Sequence, residues 1–414
     1  MHTTNLPASG DDPVDDSGKN PLDHYRRLLA KKTSQTNEST VEGIDTTTEL
    51  DLTNPGIQER LEETNITWRG IIKKYLGDKP LLYEIADQIT HNADEALRVV
   101  RDNDLEKIRQ KPEILDHLEA IVRTDGSRPS FIIRNGHVDK NTSPLGDWSG
   151  SLDASAGLLQ SAIACVGRID DPTDRQGFRG TGFIVAPNLI ITNRHVLQLI
   201  ADKLADQSWQ LHSNIHIDFG HEFRGQKTLN RRALKRIVFA GADPISSMPP
   251  VDHKKLDLAL IELAPVSAGQ MPLSFLAVDE APDWSQAELG IYTIGYPGDP
   301  LTSIPDLTLL EQLFHTTYGC KRLAPGRVMT SRITTELTTS AHDATTLGGN
   351  SGSVVLVINR EQAAAGLHYG GRSGEPRENW AHILGTILDR TNGHEPTTLR
   401  EYLVKGDAEF INRP

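Results

Sequence analysis

Three segments of the chain carry side chains that could act together in acyl transfer. His195 follows an apolar strand pattern, Asp257 lies within a second one, and Ser351 lies in the glycine-rich segment GGNSGS. A serine hydroxyl is a poor nucleophile at neutral pH, so it needs a base to take its proton and a carboxylate to orient that base. The chain supplies all three groups, in the order His, Asp, Ser.

The glycines around Ser351 predict a site for a negatively charged oxygen. An oxyanion that develops on the substrate needs backbone N–H groups pointed at it, and side chains would obstruct its approach. We therefore expect the amides of Gly349 and Ser351 to form an oxyanion hole.

Each of these features is common alone, because strand-end histidines, buried aspartates and G-x-S-G turns also occur without catalysis. Their joint order differs from the Ser, Asp, His order of the α/β-hydrolases. The motifs GTGFIVA, TNRHV, LDLALI, GGNSGS and GLHYGG follow one another as in trypsin-like serine peptidases. Residues 151–403 resemble that family, and are most similar to its glutamyl endopeptidase and bacterial trypsin-like branch.

The resemblance implies a mainly β fold of two six-stranded β-barrels with the site in the cleft between them. His195 would be the general base and Asp257 its orienting carboxylate, both from the first barrel. Ser351 would be the nucleophile, from the second. The implied function is that of a serine endopeptidase that cleaves proteins or peptides through an acyl-enzyme, with no metal and no organic cofactor.

The residue before the nucleophile departs from the digestive members of the family. Those enzymes carry Asp there, which pairs with an N-terminus freed by cleavage, whereas this chain has Asn350. An amide cannot form that ion pair, and residues 163–169 lack an evident activation-cleavage site. We therefore expect no activation by cleavage, and control by the N-terminal region or by a partner.

Substrate preference is predicted from three positions that match the specificity pocket of glutamyl endopeptidases. In that branch a histidine after the nucleophile and a Thr or Ser before it line the pocket, and His368 and Thr346 match them. Thr345, at the pocket base, offers no carboxylate to pair with a substrate Lys or Arg. The resemblance implies preference for Glu, then Asp. Small, apolar or basic residues remain alternatives, and His368 could instead pack behind the cleft.

The N-terminal part of the chain differs from the rest in its composition and in the spacing of its apolar residues. Residues 1–49 are mostly polar and read as a flexible tail and linker, with a possible short helix at 23–32. Residues 50–123 carry apolar residues at three- and four-residue steps, which predicts four or five short helices in a small bundle. No group in it carries chemistry, so a binding or regulatory module is expected, with a plain structural appendage as the alternative.

The rest of the chain is rich in short strands. Residues 124–150 are expected to connect the two parts, 151–405 to form the peptidase domain and 406–414 to form a C-terminal tail. Short β-rich runs, among them 162–169, alternate with Gly, Pro and Asn turns, which predicts closed β-barrels or a sandwich.

Composition excludes other classes of protein. The chain has 414 residues with 37% apolar residues, which is enough for a globular core, and its net charge of −13 disfavours binding to nucleic acid or anionic membranes. No apolar run reaches the ~20 residues that span a bilayer, and the N-terminus lacks a secretion signal. Two cysteines, Cys165 and Cys320, fit a reducing compartment, so a cytoplasmic location is expected.

Other candidate sites are weaker. A group of histidines and carboxylates lacks the fixed spacing of a zinc motif, so a solvated barrel loop is the favoured interpretation of His212, His216, Asp218, His221 and Glu222. Cys320 has no neighbouring histidine in sequence and is expected to be a surface thiol. Residues 300–314 are expected to form a loop or a short helix.

A second class of function stays open. The helical module could recruit a protein partner in a signalling or defence pathway, which would make the chain an adaptor with latent or absent peptidase activity. A peptide-binding pseudo-enzyme is disfavoured, since all triad and oxyanion positions are intact. Ser351→Ala separates these classes, because an adaptor would keep its partner binding and its cellular effect.

Overall fold

The structure is a computed structural model of the chain. It describes residues 21–29, 51–73, 80–111, 113–124, 127–223, 230–246, 250–266, 274–298, 318–346, 348–372 and 378–412. Most of the expected tail and linker, and the expected loop or short helix at 300–314, lie outside these ranges.

The helices of the described residues are α1 (Pro21–Leu29), α2 (Asn54–Ile71), α3 (Pro80–Asp102), α4 (Leu105–Gln110), α5 (Glu113–Thr124), α6 (Ser149–Ala154), α7 (Ala156–Ala164), α8 (Arg194–Ile200), α9 (Leu384–Ile387) and α10 (Leu399–Lys405). None of these described helices has both the length and the apolar character needed to cross a bilayer.

Helices α1–α5, which we call the helical region, pack around one apolar core. Each buries one face, as amphipathic helices do, and α3 contributes Leu97 and Val100. Helix α1 lies within the range expected to be a flexible tail. It joins the bundle because Leu22, Tyr25 and Leu29 are buried in the same core.

The strands of the described residues are β1 (Phe131–Arg134), β2 (His137–Asp139), β3 (Val166–Asp170), β4 (Phe178–Ala186), β5 (Leu189–Thr192), β6 (Ala201–Lys203), β7 (Trp209–Leu211), β8 (His216–Asp218), β9 (Arg231–Ala240), β10 (Ala259–Leu263), β11 (Ala277–Asp279), β12 (Gly290–Gly295), β13 (Arg322–Met329), β14 (Thr339–His342), β15 (Val354–Val357), β16 (Ala363–Ala364), β17 (Gly366–Arg372), β18 (Glu378–Ile383) and β19 (Phe410–Ile411).

Twelve of these strands form two closed antiparallel barrels. The first has the order β10-β5-β4-β3-β8-β9 around a core that includes Ile169, Ile190 and Ile217. The second has the order β12-β15-β17-β18-β14-β13 and closes through pairing of β12 with β13. The expectation of two six-stranded β-barrels after a helical part is therefore confirmed.

Segments expected to lie outside the peptidase domain contribute strands to it. Strand β1, from the expected connecting segment, pairs with β13 through Phe131 opposite Leu323. Strand β19, from the expected C-terminal tail, runs parallel to β11. Residues 162–164 end α7 instead of beginning a strand, because Leu159 and Ile163 lie on one buried helical face.

A buried lysine joins the two barrels. The Lys321 ammonium, just before β13, donates hydrogen bonds of 2.8 Å to the carbonyls of Ile163 and Phe219, which flank first-barrel strands. Its burial lowers the pKa of Lys321 to about 8. These two carbonyls depend on a donor that comes from the other barrel.

Replacing Lys321 with Met is expected to lower the free energy of unfolding by about 1–3 kcal/mol, since two buried acceptors lose their donor. Lys235→Met, which removes a half-exposed ion pair with Glu262, should lower it by less than about 1 kcal/mol. Urea unfolding of both variants measures the loss in the free energy of unfolding. Equal losses would contradict the role assigned to Lys321.

Candidate active site

The first barrel brings His195 and Asp257 together. Strand β5 ends at Thr192 and places His195 in the first turn of α8, while Asp257 lies two residues before β10, the partner of β5. The Asp257 carboxylate is 2.6 Å from His195 Nδ1, and its other oxygen accepts the His195 backbone N–H at 2.9 Å. This buried carboxylate therefore orients the imidazole through two contacts.

The backbone of Asp257 is itself held on both sides. Its N–H donates to His382 Nε2 at 3.0 Å, and its carbonyl accepts from Asn193 Nδ2 at 2.9 Å. Burial lowers the pKa of His382 to about 4, so the imidazole is neutral and Nε2 is free to accept. Tyr369 stacks on this ring at 4.4 Å between centroids. Sequence reasoning missed His382, whose only signal is a histidine inside the strand pattern ENWAHI.

The loop that carries Ser351 is docked on strand β4 of the first barrel. The Ser351 carbonyl accepts from the Thr181 N–H at 2.8 Å, and the Gly349 carbonyl accepts from Thr181 Oγ1 at 2.9 Å. These bonds bring the second-barrel loop against the first barrel, at the edge where His195 lies.

Gly180 shows how close the two parts of the site are. A Cβ atom there would lie 3.0 Å from the Ser351 carbonyl oxygen and 2.9 Å from Val196 Cγ2, the residue after His195. Among the hydrogen bonds of the described residues, none joins the Ser351 hydroxyl to the His195 imidazole. Such bonds commonly tighten only when substrate is bound.

The backbone around Ser351 suits an oxyanion. Gly349 and Gly352 have φ angles of +86° and +89°, a region that strongly favours glycine. The amide N–H groups of Gly349 and Ser351 donate to no other described residue. Among the described residues, these two donors beside Ser351 are therefore not engaged.

His368 lies in the strand beside the nucleophile. Its carbonyl accepts from the Gly352 N–H at 3.0 Å, and its N–H donates to the Ser353 carbonyl at 2.9 Å. Its side chain is buried, with Nδ1 3.3 Å from His342 Nε2. Burial, and then the neighbouring His342 and His195, lower the pKa of His368 well below its usual range.

The contact with His342 sets the tautomer of His368. Burial lowers the pKa of His342 to about 4, so this ring carries one proton. Its Nδ1 atom has no partner among the described residues, and a buried N–H without an acceptor is costly, so the proton belongs on Nε2. His342 then donates to His368 Nδ1, and neutral His368 carries its own proton on Nε2. Sequence reasoning missed His342.

The two predicted pocket threonines already use their hydroxyl protons. Thr346 Oγ1 donates to Asn379 Oδ1 at 2.7 Å, and Thr345 Oγ1 donates to the Arg128 carbonyl at 2.7 Å. Asn379 also donates to the Ala344 carbonyl at 2.8 Å. In this arrangement the threonine hydroxyls can only accept from a substrate. Neither Asn379 nor Arg128 was predicted, and no local motif marks them.

Asn350, in place of the family's Asp, has a local contact. Its Oδ1 atom accepts from Ser353 Oγ at 3.3 Å, and the side chain is buried. Residues 163–169 are the segment expected to lack an activation-cleavage site. Its first residue, Ile163, lies near the end of α7 and is buried as well.

The residues considered for a metal site have other partners. His212 contacts Asp202, His216 contacts the Asn214 carbonyl, and the Glu222 carboxylate accepts from the Gly136 N–H. The ranges that the structure describes hold no group of three or more His, Cys, Asp or Glu that could bind a metal ion.

Comparison with known proteins assigns a class to this site. Residues 180–367, which run from within β4 to the second residue of β17, match the family model of the trypsin-like peptidase domain. A probable serine protease of Lysobacter enzymogenes is 29% identical over 282 residues, which are 62% of this chain and 70% of that protein.

Solved structures that this chain is similar to include the inactive form of Rv3671c from M. tuberculosis H37Rv, with 14% identity and a TM-score of 0.35 over 58% of this chain and 92% of that one. Mouse neuropsin, a serine protease, has 14% identity and a TM-score of 0.36 over 54% of this chain and 91% of that one. The assignment rests on the family match and on the Lysobacter relative. The chain carries a trypsin-like serine peptidase domain and is a serine endopeptidase, a hydrolase of proteins or peptides.

Gly352→Ala is expected to lower the rate of labelling of the protein by a fluorophosphonate about 100-fold, since a displacement of about 1 Å at a reacting group has that effect. The new Cβ would lie 1.9 Å from the Thr181 carbonyl oxygen and would push the loop off β4.

Gly348→Ala is the matched control in the same loop, because a Cβ there meets nothing within 4 Å. It should label at nearly the wild-type rate, and both variants should be checked for an unchanged Tm. Similar rates for the two variants would refute the docking argument.

Proposed function

We propose that His195, Asp257 and Ser351 are the catalytic residues of this endopeptidase. The observation that carries the proposal is the 2.6 Å contact between His195 Nδ1 and a buried Asp257 carboxylate, at the edge where the Ser351 loop meets the first barrel. A buried carboxylate on Nδ1 leaves Nε2 of the ring to act as the base.

The proposed reaction has two steps. His195 Nε2 takes the proton of Ser351 Oγ, which attacks the substrate carbonyl, while the amides of Gly349 and Ser351 hold the oxyanion. His195 then returns the proton to the leaving amine, and an acyl-enzyme remains. Water, deprotonated by His195, hydrolyses the acyl-enzyme, and Asp257 keeps the imidazole in one tautomer throughout.

Asp257→Asn should lower kcat about 10⁴-fold, because the amide imposes the wrong tautomer on His195. Ser351→Ala should abolish cleavage. Mapping of cleavage sites by mass spectrometry in a denatured proteome digest tests both variants against the wild type.

Cuts that appear equally with Ser351→Ala would exclude this serine as the nucleophile. If the variant keeps partner binding and the cellular effect, the adaptor function is favoured over proteolysis as the main role.

We also propose that the substrate residue before the scissile bond is acidic, as in glutamyl endopeptidases. The support is His368, which lies in the strand next to the nucleophile and carries a proton on Nε2 in the tautomer argued above. A neutral imidazole N–H can donate to a carboxylate, and an arriving carboxylate would also favour its protonation. Thr345 and Thr346 offer acceptors only, so His368 carries this preference.

His368→Ala should lower kcat/KM for a Glu-containing peptide by about 10- to 100-fold relative to a matched Leu peptide. The Glu carboxylate of the substrate would then lack the hydrogen bond that His368 donates. Thr346→Val is the comparison variant, and it should change the Glu-to-Leu ratio much less. An unchanged ratio in His368→Ala would reject the acidic pocket, and small or apolar preference would then be favoured.

The helical region is proposed to bind a protein partner that controls the peptidase, in a bacterial signalling or defence pathway. It has an apolar core of its own and contributes no side chain to the triad. We place the protein in the cytoplasm because two cysteines, Cys165 and Cys320, are too few for a disulfide framework and fit a reducing compartment. Asn350 leads us to propose that no cleavage is needed for activity.

A further inference from the structure

The chain between the helical region and the peptidase is tied to both of them at Arg128. The Arg128 N–H donates to the Val122 carbonyl in the last turns of α5 at 3.0 Å. Trp148 Nε1 donates to the carbonyl of the preceding residue, Ser127, at 3.1 Å. Ser127 and Arg128 are therefore hydrogen-bonded both to α5 and to Trp148.

The Arg128 side chain reaches the segment that precedes the nucleophile loop. Its Nε and Nη2 atoms each lie 2.6 Å from one carboxylate oxygen of Asp343, and both side chains are only 9% exposed. The guanidinium also lies over the Trp148 ring, 5.6 Å from its centroid. A bidentate pair fixes direction as well as distance, which a single contact does not.

The Arg128 backbone makes a second contact with the same segment, because its carbonyl accepts from Thr345 Oγ1. Residues 343 and 345 are thus held by Arg128. Residues 344 and 346 are held by Asn379, through the Ala344 carbonyl and Thr346 Oγ1. Gly349 follows only three residues later, and Ser351 five.

We propose that Arg128 is a positioning residue for the substrate pocket, and that it is the link through which the helical region acts on the peptidase. The proposal rests on the pocket and regulation proposed above. A shift of α5 against the second barrel must either break the bond from Arg128 to Val122 or move residues 343–346. The Arg128–Asp343 pair is buried, so breaking it is costly even though the Asp343 carboxylate keeps the Arg327 N–H at 2.7 Å, and movement of the pocket segment is favoured.

The experiment measures hydrogen exchange by mass spectrometry in the full chain carrying Ser351→Ala, with and without Arg128→Ala. Amides of residues 343–351 should exchange about tenfold faster in Arg128→Ala, since their local opening becomes easier. The exchange rates of the amides of residues 178–192 should not change. Arg128→Lys should restore protection only in part, because an ammonium cannot make the bidentate contact.

Arg400→Ala is the matched control, since it removes an ion pair with Glu280, the residue after β11. The same acceleration in Arg400→Ala, or no acceleration at 343–351 in Arg128→Ala, would overturn the proposal. Thr345→Val removes only the carbonyl contact and should speed exchange of the same segment to a smaller extent. If Arg128→Ala fails to fold and Thr345→Val changes nothing, Arg128 is a structural residue and the proposal fails.

The kinetics of the chain that retains Ser351 provide a second test. Arg128→Ala should lower kcat/KM about tenfold, mainly through KM, and should reduce the Glu-to-Leu preference, because the pocket is misplaced while the triad is intact. A lower Tm with unchanged KM and preference would argue against positioning. A wild-type chain that cleaves nothing would reject the proposed function, whereas the exchange result would still decide the role of Arg128.

Discussion

Thr181 is the residue on which the geometry of the active site depends. Its N–H and its hydroxyl donate to the carbonyls of Ser351 and Gly349, and so hold the loop that carries Ser351. Its hydroxyl oxygen accepts from the Tyr296 N–H, just after β12, and its carbonyl accepts from Thr192 Oγ1, three residues before His195. One residue of β4 thus connects both barrels, the Ser351 loop and the strand that precedes the proposed base.

Buried neutral imidazoles stabilise this geometry. His382 accepts the N–H of Asp257, and His342 sets the tautomer of His368. Burial lowers the pKa of His342 and His382 to about 4, whereas exposed histidines titrate near about 6.5. Between these pH values the unfolded chain binds protons that the folded chain excludes. Stability therefore falls as the pH falls through that window, and the support of the site is acid-sensitive.

The helical region is joined to the peptidase by structure and not by a passive linker. Strands β1 and β2 extend the second barrel from β13, and Arg128 holds the segment before the loop that carries Ser351. Two hydrogen bonds, from Arg128 to Val122 and from Thr345 to Arg128, connect α5 to the segment of the proposed substrate pocket. This arrangement would give the proposed partner of the helical region a physical route to that pocket.

The class of fold and the residues proposed for catalysis follow from the sequence alone, because both depend on local patterns. The short-strand pattern predicts barrels or a sandwich, the resemblance to trypsin-like peptidases implies two barrels, and His195, Asp257 and Ser351 each lie in a recognisable motif. What surrounds these three residues follows only from the folded chain. Arg128 lies 215 residues from Asp343, and His382 lies 125 residues from Asp257, so no local pattern could pair them. The sequence also indicates a strand near Phe131 and a possible helix near residues 23–32, but not that β1 pairs with β13 or that α1 packs into the helical core, because short segments gain their stability from the surfaces that they pack against.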